Sequence, residues 1–181
     1  MKISVSKMDA ARSQLEEAIL LFFEERDPVS IHTLVGASLQ LLNDHINKGK
    51  VWDNNLLLHD ETIYIKDKYR KFWHDKLNEA KNFFKHADRD LEKGITTIEF
   101  ETDLNEVFIF EAIRSLNVVD KTGFRQSVEI IAFWSWFCLK NKHILKQDYI
   151  DTLAKIPYAE NVSGMPLNYW REVIRIRKEN K

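Results

Sequence analysis

Apolar residues return every three or four positions through much of the chain, which is the spacing of one face of an α-helix. The first such stretch runs from about Ser6 or Asp9 to Arg26. Its apolar face consists of Met8, Ala11, Leu15, Ala18, Ile19 and Phe22. Asp27 followed by proline is a typical helix start, so a second helix is predicted over about residues 28–46. With almost no loop between them, the two helices should form an antiparallel hairpin.

The second predicted helix carries a group of small residues and two histidines. Gly36, Ala37 and Ser38 would let a neighbouring helix approach closely, and a glycine inside a helix costs about 1 kcal/mol relative to alanine, which indicates tight packing. His32 lies toward the edge of the apolar face, whereas His45 lies on that face near the helix C-terminus. For both histidines we favour a structural role over a ligand role.

The longest amphipathic helix is predicted over residues 66–87. It follows a less regular stretch in which residues 63–65 form a short extended piece. The apolar stripe of this helix consists of Tyr69, Trp73, Leu77, Ala80, Phe84 and Ala87. Glu79, Asn82 and His86 form a polar line beside that stripe, so the C-terminal turns of the helix combine a packed face with a chemically active one.

The second half of the chain is also predicted to be mostly helical. β-Branched residues favour a short extended segment at residues 95–100. Asp103 with Glu106 three positions later is a capping-box pattern, which predicts the start of a fourth helix that ends near Asn117. Further helices are predicted over about residues 124–140, over residues 147–153, and from residue 167 towards the C-terminus.

The composition agrees with a helical protein. The 181 residues include only five glycines and three prolines, too few for the many tight turns of an all-β fold. Apolar residues make up 44 % of the chain, enough for a sizeable core in one domain of this length. We therefore predict an all-α, single-domain helical bundle of about six or seven helices that spans residues 1–181.

Charge and the lengths of the apolar runs restrict the partners and the location. The formal net charge is −1, so the chain as a whole is not built to coat nucleic acid or an anionic membrane, and any anion site must be local. No apolar run approaches the roughly 20 residues of a membrane span, and the N-terminus has no apolar signal core. These observations predict a soluble, cytoplasmic protein without a membrane partner.

The sequence contains none of the common motifs for metals or cofactors. The single cysteine, Cys138, excludes an intrachain disulfide and a cysteine-based zinc cluster, and its apolar neighbours predict a buried, inert thiol. There is no glycine-rich phosphate loop, no His-Glu-x-x-His zinc helix and no paired Glu-x-x-His motif. His86 and Asp88 would supply only two metal ligands. No cofactor and no metal site is therefore predicted.

The strongest candidates for chemistry are Lys81, Asn82 and His86, at the end of the predicted long helix. Asn82 and His86 are four residues apart and share a helix face, and the long Lys81 side chain can bend toward the same surface. An imidazole acts as a general base or acid near neutral pH. An amide can orient a phosphate, and a cation can neutralise its charge. These groups suffice for metal-free attack of an RNA 2′-hydroxyl on the neighbouring phosphate.

A mostly helical core with a cation, a polar residue and then a histidine resembles the HEPN superfamily. HEPN domains are helical bundles of toxin–antitoxin, phage-defence and RNA-processing systems, and many cleave RNA without metal by using the motif from both subunits of a dimer. The resemblance implies a homodimer in which His86 is the general base or acid, Asn82 orients the substrate and Lys81 contacts phosphate. Active members have arginine where this chain has Lys81, which loses the two-pronged grip on phosphate. The lysine therefore implies either a nuclease of weakened activity or a non-catalytic relative that binds RNA or a nucleotide.

Other interpretations of these residues stay open. Asn82 and His86 can also tie the helix end to the following loop, with the lysines simply solvated. The region of Trp134 and Trp136 is favoured as core, but an exposed aromatic edge there would predict homodimerisation or a non-enzymatic module that binds a protein partner. A small-molecule sensor would need a pocket between helices. The basic residues from Arg171 to Lys181 could contact nucleic acid, but we favour the interpretation that they complement the dipole of the last helix.

Overall fold

The computed structural model describes residues 2–48, 79–80, 82–84, 94–120, 127–147 and 164–180. The helices within these ranges are α1 Lys7–Phe23, α2 Pro28–Lys48, α3 Leu104–Val119, α4 Val128–Lys140 and α5 Leu167–Glu179, with a short 3-10 helix at Lys142–Ile144. Residues 79, 80 and 82–84 are also helical, whereas residues 95–100 are neither helix nor strand. No strand occurs in the described ranges, and the predicted all-α fold is confirmed. The extended piece predicted at residues 63–65 lies outside them.

α1 begins with a capping box. The backbone N–H of Asp9 donates to Ser6 Oγ at 3.0 Å, and the N–H of Ser6 donates to Asp9 Oδ2 at 3.3 Å. Two donors are thereby satisfied near a helix start, where intrahelical partners are missing. The predicted start near Ser6 or Asp9 is confirmed, and the helix ends at Phe23, before the predicted end at Arg26.

The end of α1 is a Schellman motif, in which two backbone N–H groups fold back onto the last helical carbonyls. The N–H of Glu25 donates to the Phe22 carbonyl, and the N–H of Arg26 donates to the Leu21 carbonyl, each at 3.0 Å. The turn needs one residue in the left-handed region, and Glu25 adopts it with a φ of 53°. Glycine is the usual residue at this position because it has no Cβ.

α2 follows this turn directly and forms the predicted hairpin with α1. The Asp27 side chain caps it by accepting from the N–H of Ser30 at 2.9 Å. Across the two helices, Ser38 Oγ donates to the Ala11 carbonyl at 2.7 Å, and both residues are fully buried. A side chain of one helix reaches the backbone of the other only when the two are close, so the close approach predicted for the small residues of α2 is present at Ser38.

α3 is the central helix, with twelve of its sixteen residues buried. Its predicted capping box is wrong. Asp103 already has helical backbone angles, with φ −64° and ψ −19°, and its side chain caps no N–H group, because a capping side chain reaches those groups from extended backbone. Glu106 instead accepts from Lys140 Nζ of α4 at 2.5 Å. The helix itself starts where the sequence placed it.

α4 packs its aromatic side chains into the core. Phe133 and Trp136 are buried and lie against Phe22 of α1, with ring centroids 5.4 and 5.0 Å away. Trp134 is half-buried and stacks on Phe110 of α3 at 4.9 Å. The core interpretation of this region is therefore confirmed, and the described aromatic rings of α4 do not form an exposed patch.

Three further expectations can be compared with the described residues. Cys138 is buried within α4, as its apolar neighbours predict. No helix in these ranges is both long and apolar enough to cross a membrane. The position predicted for His45 on the buried face of α2 is wrong, because His45 is exposed. The next residue, Ile46, is buried at the same level of α2, so at this point the buried side of the helix contains Ile46 and not His45.

Because the helices run in different directions, each end of the bundle contains the N-terminal ends of some helices and the C-terminal ends of others. One end, here called the His32 end, contains the C-terminal end of α1 and the N-terminal ends of α2, α3 and α5. The opposite end, here called the Glu129 end, contains the N-terminal ends of α1 and α4 and the C-terminal ends of α3 and α5. Leu167 of α5 lies beside Asn105 at the first end, and Lys178 of α5 pairs with Glu129 at the second. Between Leu167 and Lys178, α5 buries the side chains of Trp170 and Ile174.

Candidate functional site

A hydrogen-bonded histidine–asparagine pair is buried at the His32 end. His32 of α2 and Asn105 of α3 are 0 % and 1 % exposed, and His32 Nδ1 lies 2.9 Å from Asn105 Oδ1. Because an amide oxygen only accepts, Nδ1 carries the proton and donates it. Asn105 Nδ2 in turn donates to the Pro28 carbonyl at 3.0 Å. One amide therefore joins the start of α2 to the start of α3.

Three phenylalanine rings surround the His32 imidazole. The ring centroids of Phe108, Phe100 and Phe84 lie 4.4, 5.0 and 5.6 Å from that of His32. Phe84 and Phe100 also contact each other edge to face, with their ring centroids 5.2 Å apart. His32 therefore connects α2, α3 and the helical residues 82–84, because its ring offers both an aromatic surface and a polar donor.

The buried pair supports the helical stretch that carries Asn82, one of the site residues predicted from the sequence. Asn82 and Phe84 belong to the same helical stretch, where two residues correspond to about 200° around the helix axis. Phe84 accordingly packs on His32, while Asn82 is exposed. Lys81 and His86 lie outside the described residues. Of the three predicted site residues, the structure thus describes Asn82. It lies on the exposed side of a helical stretch whose Phe84 packs against His32.

Sequence reasoning missed the buried pair. It placed His32 at the edge of the apolar face of α2, whereas His32 is fully buried, and it did not single out Asn105. One signal was present, because Asn105 stands among the apolar residues that begin α3, and a buried asparagine requires hydrogen-bond partners. The partner is 73 residues away in the sequence, so no local pattern could identify it.

An open pocket of about 230 Å³ lies beside the pair at the His32 end. It is formed by the turn between α1 and α2 together with the first turns of α3 and α5. Its apolar lining residues are Phe22, Pro28, Ile31 and Leu167. Its polar and charged lining residues are Glu25, Arg26, Thr102 and Asn105. The pocket therefore combines an apolar wall with two opposite charges on consecutive residues.

The Glu129 end holds charged groups in place of a neutral pair. Lys178 of α5 forms an ion pair with Glu129 of α4, whose side chain is 6 % exposed. Ser127 Oγ donates to the Glu129 carboxylate at 3.4 Å, and its hydroxyl also influences the pKa of the half-buried Glu16 of α1. Burial raises the pKa of Glu16 above its ordinary value; the Ser127 hydrogen bond lowers that pKa, and the neighbouring Glu129 charge raises it. Glu16 and Glu129 are therefore close enough for the charge of one carboxylate to raise the pKa of the other.

The basic residues of α5 are largely engaged by carboxylates. Arg175 bonds to Glu172 and to Glu179 within the helix, and Lys178 is paired with Glu129. These cations are not presented as a free basic run for nucleic acid. Among the residues that the structure describes, no group of three or more His, Cys, Asp or Glu side chains could hold a metal ion.

In comparisons with known proteins, no family model, curated protein or solved structure matches the chain. A function must therefore be inferred from the groups described above. The buried His32–Asn105 pair positions the surrounding helices. Among the described residues near that pair, Asn82 on the helical stretch and Glu25 and Arg26 at the pocket are exposed polar groups.

Proposed function

We propose that this protein acts on RNA at the helix end that carries Lys81, Asn82 and His86. It is either a HEPN-like, metal-independent endoribonuclease or a related protein that binds RNA or a nucleotide without cleaving it. The observation that carries the proposal is the position of Asn82, which is exposed on a helical stretch whose Phe84 packs against buried His32. A group that orients phosphate must be both accessible and rigidly held.

The proposed reaction is an attack of the RNA 2′-hydroxyl on the adjacent phosphorus. It forms a 2′,3′-cyclic phosphate and expels the 5′-oxygen of the next nucleotide. His86 takes the 2′-proton as general base or protonates the leaving oxygen as general acid. Asn82 orients the phosphate, and Lys81 neutralises its charge. Because one imidazole cannot perform both proton transfers at once, we propose a homodimer in which the second His86 serves the same phosphate.

Cleavage of a structured RNA pool in EDTA tests the nuclease. We expect the native protein to cleave, His86→Ala to be slower by about 100-fold or more, and Lys81→Arg to be faster because guanidinium grips two phosphate oxygens. Asn82→Ala should be slower as well. Asn168→Ala removes another exposed amide from a helix and is the matched control, which should keep native activity. No cleavage by native or Lys81→Arg protein, at high protein concentration, would exclude the nuclease.

RNA binding tests the non-cleaving form of the proposal. Affinity should fall as salt is raised, because phosphate contacts release counterions, and it should fall in Asn82→Ala and in Lys81→Ala. Asn168→Ala should bind like the native protein. If the native protein binds no RNA or nucleotide, or if neither substitution at the helix end changes the affinity, the site is not an RNA site.

A further inference from the structure

The described residues that line the pocket at the His32 end include none of those proposed to contact RNA, so an inference about the pocket does not rest on that function. Phe22, Ile31 and Leu167 supply its apolar wall from three different helices. Glu25 and Arg26 line it from consecutive positions of the turn between α1 and α2. Apolar surface and charge of both signs therefore meet around one open space, which is the composition of a site for a small polar metabolite.

Both charged groups are available to a ligand. Glu25 and Arg26 are exposed, and neither side chain makes a hydrogen bond or an ion pair within the described ranges. The neighbouring Glu24 differs, because Arg171 of α5 approaches its carboxylate at 4.0 Å. Arg171 of α5 is thus directed to Glu24, and none of the described residues pairs with the two charges at the pocket.

The backbone of Glu25 is strained, and a glycine at this position would form the same turn without the strain. Its φ of 53° lies in the left-handed region, where a Cβ atom is unfavourable and glycine is preferred. Glycine would form the same backbone hydrogen bonds without that strain. Strained non-glycine residues cluster at binding sites, and glutamate here brings to the pocket a carboxylate that glycine lacks.

The size and the charges of the pocket indicate the class of ligand. A volume of about 230 Å³ is below the roughly 300–1,000 Å³ of pockets for drug-sized molecules, which suits a small metabolite. Opposite charges on adjacent residues complement a molecule whose ammonium and carboxylate groups share one carbon atom. We propose that the pocket binds a free α-amino acid with an apolar side chain, its carboxylate on Arg26, its ammonium on Glu25 and its side chain against Phe22.

Titration calorimetry of the full chain with L-phenylalanine and L-leucine tests this proposal. We expect saturable binding of one ligand per chain. Three probes remove one feature each: 2-phenylethylamine lacks the carboxylate, 3-phenylpropionate lacks the ammonium, and N-acetyl-L-phenylalaninamide keeps the side chain without either charge. Each should bind at least about tenfold more weakly than phenylalanine, because each loses a charge-assisted hydrogen bond.

Two variants assign the charges to residues. Arg26→Gln should weaken the binding of phenylalanine and phenylpropionate about tenfold and leave phenylethylamine unchanged. Glu25→Gln should weaken phenylalanine and phenylethylamine and leave phenylpropionate unchanged. The matched controls are Arg177→Gln and Glu17→Gln, which remove exposed charges away from the pocket and should bind every probe like the native protein.

One result of these titrations supports the amino-acid site, and three results would overturn it. A reciprocal loss in Arg26→Gln and Glu25→Gln, with both proteins folded by circular dichroism, supports the amino-acid site. No saturable binding of phenylalanine or leucine at millimolar concentration overturns it. Equal binding of phenylalanine and N-acetyl-L-phenylalaninamide also overturns it, because the charges would then contribute nothing, and so does an equal loss of affinity in the two control variants.

Discussion

The two ends of the bundle accommodate polar groups by different means. At the His32 end the interior group is a neutral pair that is 0 % and 1 % exposed, and its amide is satisfied by the His32 ring and by the Pro28 carbonyl. At the Glu129 end the interior group is a carboxylate that is 6 % exposed, and the Lys178 side chain that pairs with it is 50 % exposed. The neutral pair is completely buried, whereas the ion pair keeps its cation in contact with water.

This difference follows from the free energy of desolvation. A neutral polar group can leave water at little cost when each donor and acceptor has a partner. A charge loses much more hydration, which a counter-charge only partly restores. Glu106 and Lys140 form a second ion pair of the same kind, with 13 % and 47 % of the side chains exposed. Of these three pairs, only the neutral pair is completely buried.

The middle of α3 shows the costlier alternative. Glu111 and Arg114 are both buried and lie 3.1 Å apart on successive turns of that helix. An ion pair within one helix needs no alignment between helices, but both charges must be desolvated. Replacing such a pair with apolar residues is often neutral or stabilising, so the pair is weak evidence for stability, in contrast to the amide at the His32 end.

Removing the Asn105 amide should have the largest effect. Asn105→Ala removes the hydrogen bonds that Asn105 makes with His32 Nδ1 and with the Pro28 carbonyl, and the loss of both should lower the free energy of unfolding by about 3 kcal/mol. Urea unfolding measures the change. Asn168→Ala removes an exposed amide and should change it by less than about 0.5 kcal/mol. Similar values for the two variants would mean that the buried pair does not stabilise the His32 end.

Removing the cation at the Glu129 end should have a smaller effect. Lys178→Met leaves the buried Glu129 carboxylate without its counter-charge, but water reaches the half-exposed lysine and weakens the pair, so we expect a loss of about 1 kcal/mol. In a Glu129→Gln background the same substitution should change the free energy of unfolding by less than about 0.5 kcal/mol. Additive effects in this double-mutant cycle would show that the two charges do not interact.

Relieving the strain at Glu25 should stabilise the protein slightly. Glu25→Gly places glycine at φ 53° and should raise the free energy of unfolding by about 0.5–1 kcal/mol, because the lost Cβ strain exceeds the extra freedom of glycine in the unfolded chain. Glu24→Gly is the matched control, because Glu24 has a φ of −88° and gains no relief. Under the proposed amino-acid site, Glu25→Gly also loses affinity, so stability and binding should change in opposite directions.

The pH dependence of the Glu129 end should show the smallest effect. Burial raises the folded-state pKa of Glu16 above its ordinary value of 4.5, and the Glu129 charge raises it further. The Ser127 hydrogen bond and the charges of Arg12 and Lys178 lower this pKa, but the net shift is upward. The folded state therefore binds this proton more tightly than the unfolded state. The resulting stabilisation is complete below pH 4.5 and is lost as the pH rises through the folded-state pKa.

Glu16→Gln tests this sign. Urea unfolding measured at a series of pH values should show a shallower decline of stability above pH 4.5 in the variant than in the native protein. Burial also raises the pKa of Glu106, which Lys140 lowers, so part of the decline should remain in Glu16→Gln. A steeper decline in the variant would mean that Glu16 is preferentially ionised in the folded state.

Much of the fold could be predicted from the sequence because it depends on short-range interactions. The capping box at Ser6 and Asp9 forms as the pattern predicts, and Asp27 caps α2 before its proline. The same type of pattern failed at Asp103, where the helical backbone prevents capping and the Glu106 carboxylate binds Lys140, 34 residues away. A cap pattern therefore predicts where a helix begins more reliably than which hydrogen bonds form there.

The candidate site was less predictable than the fold. Asn82 is helical and exposed, as the polar line on the predicted long helix requires, and the roles of Lys81 and His86 stay predictions. Asn105 was not identified, because a single amide at the start of a helix is also compatible with an exposed position. His32 was placed at the edge of its apolar face, because helix periodicity alone does not show which neighbours cover that edge.

By itself, the sequence determined the helical class, the hairpin of α1 and α2 and most helix starts, because helix periodicity and end signals act over a few residues. Only the tertiary structure decided which polar side chains are buried together. His32 and Asn105 are 73 residues apart, and Glu129 and Lys178 belong to different helices. Their contacts arise when the apolar faces of the helices pack, and that packing fixes which polar residues are removed from water and must find a partner.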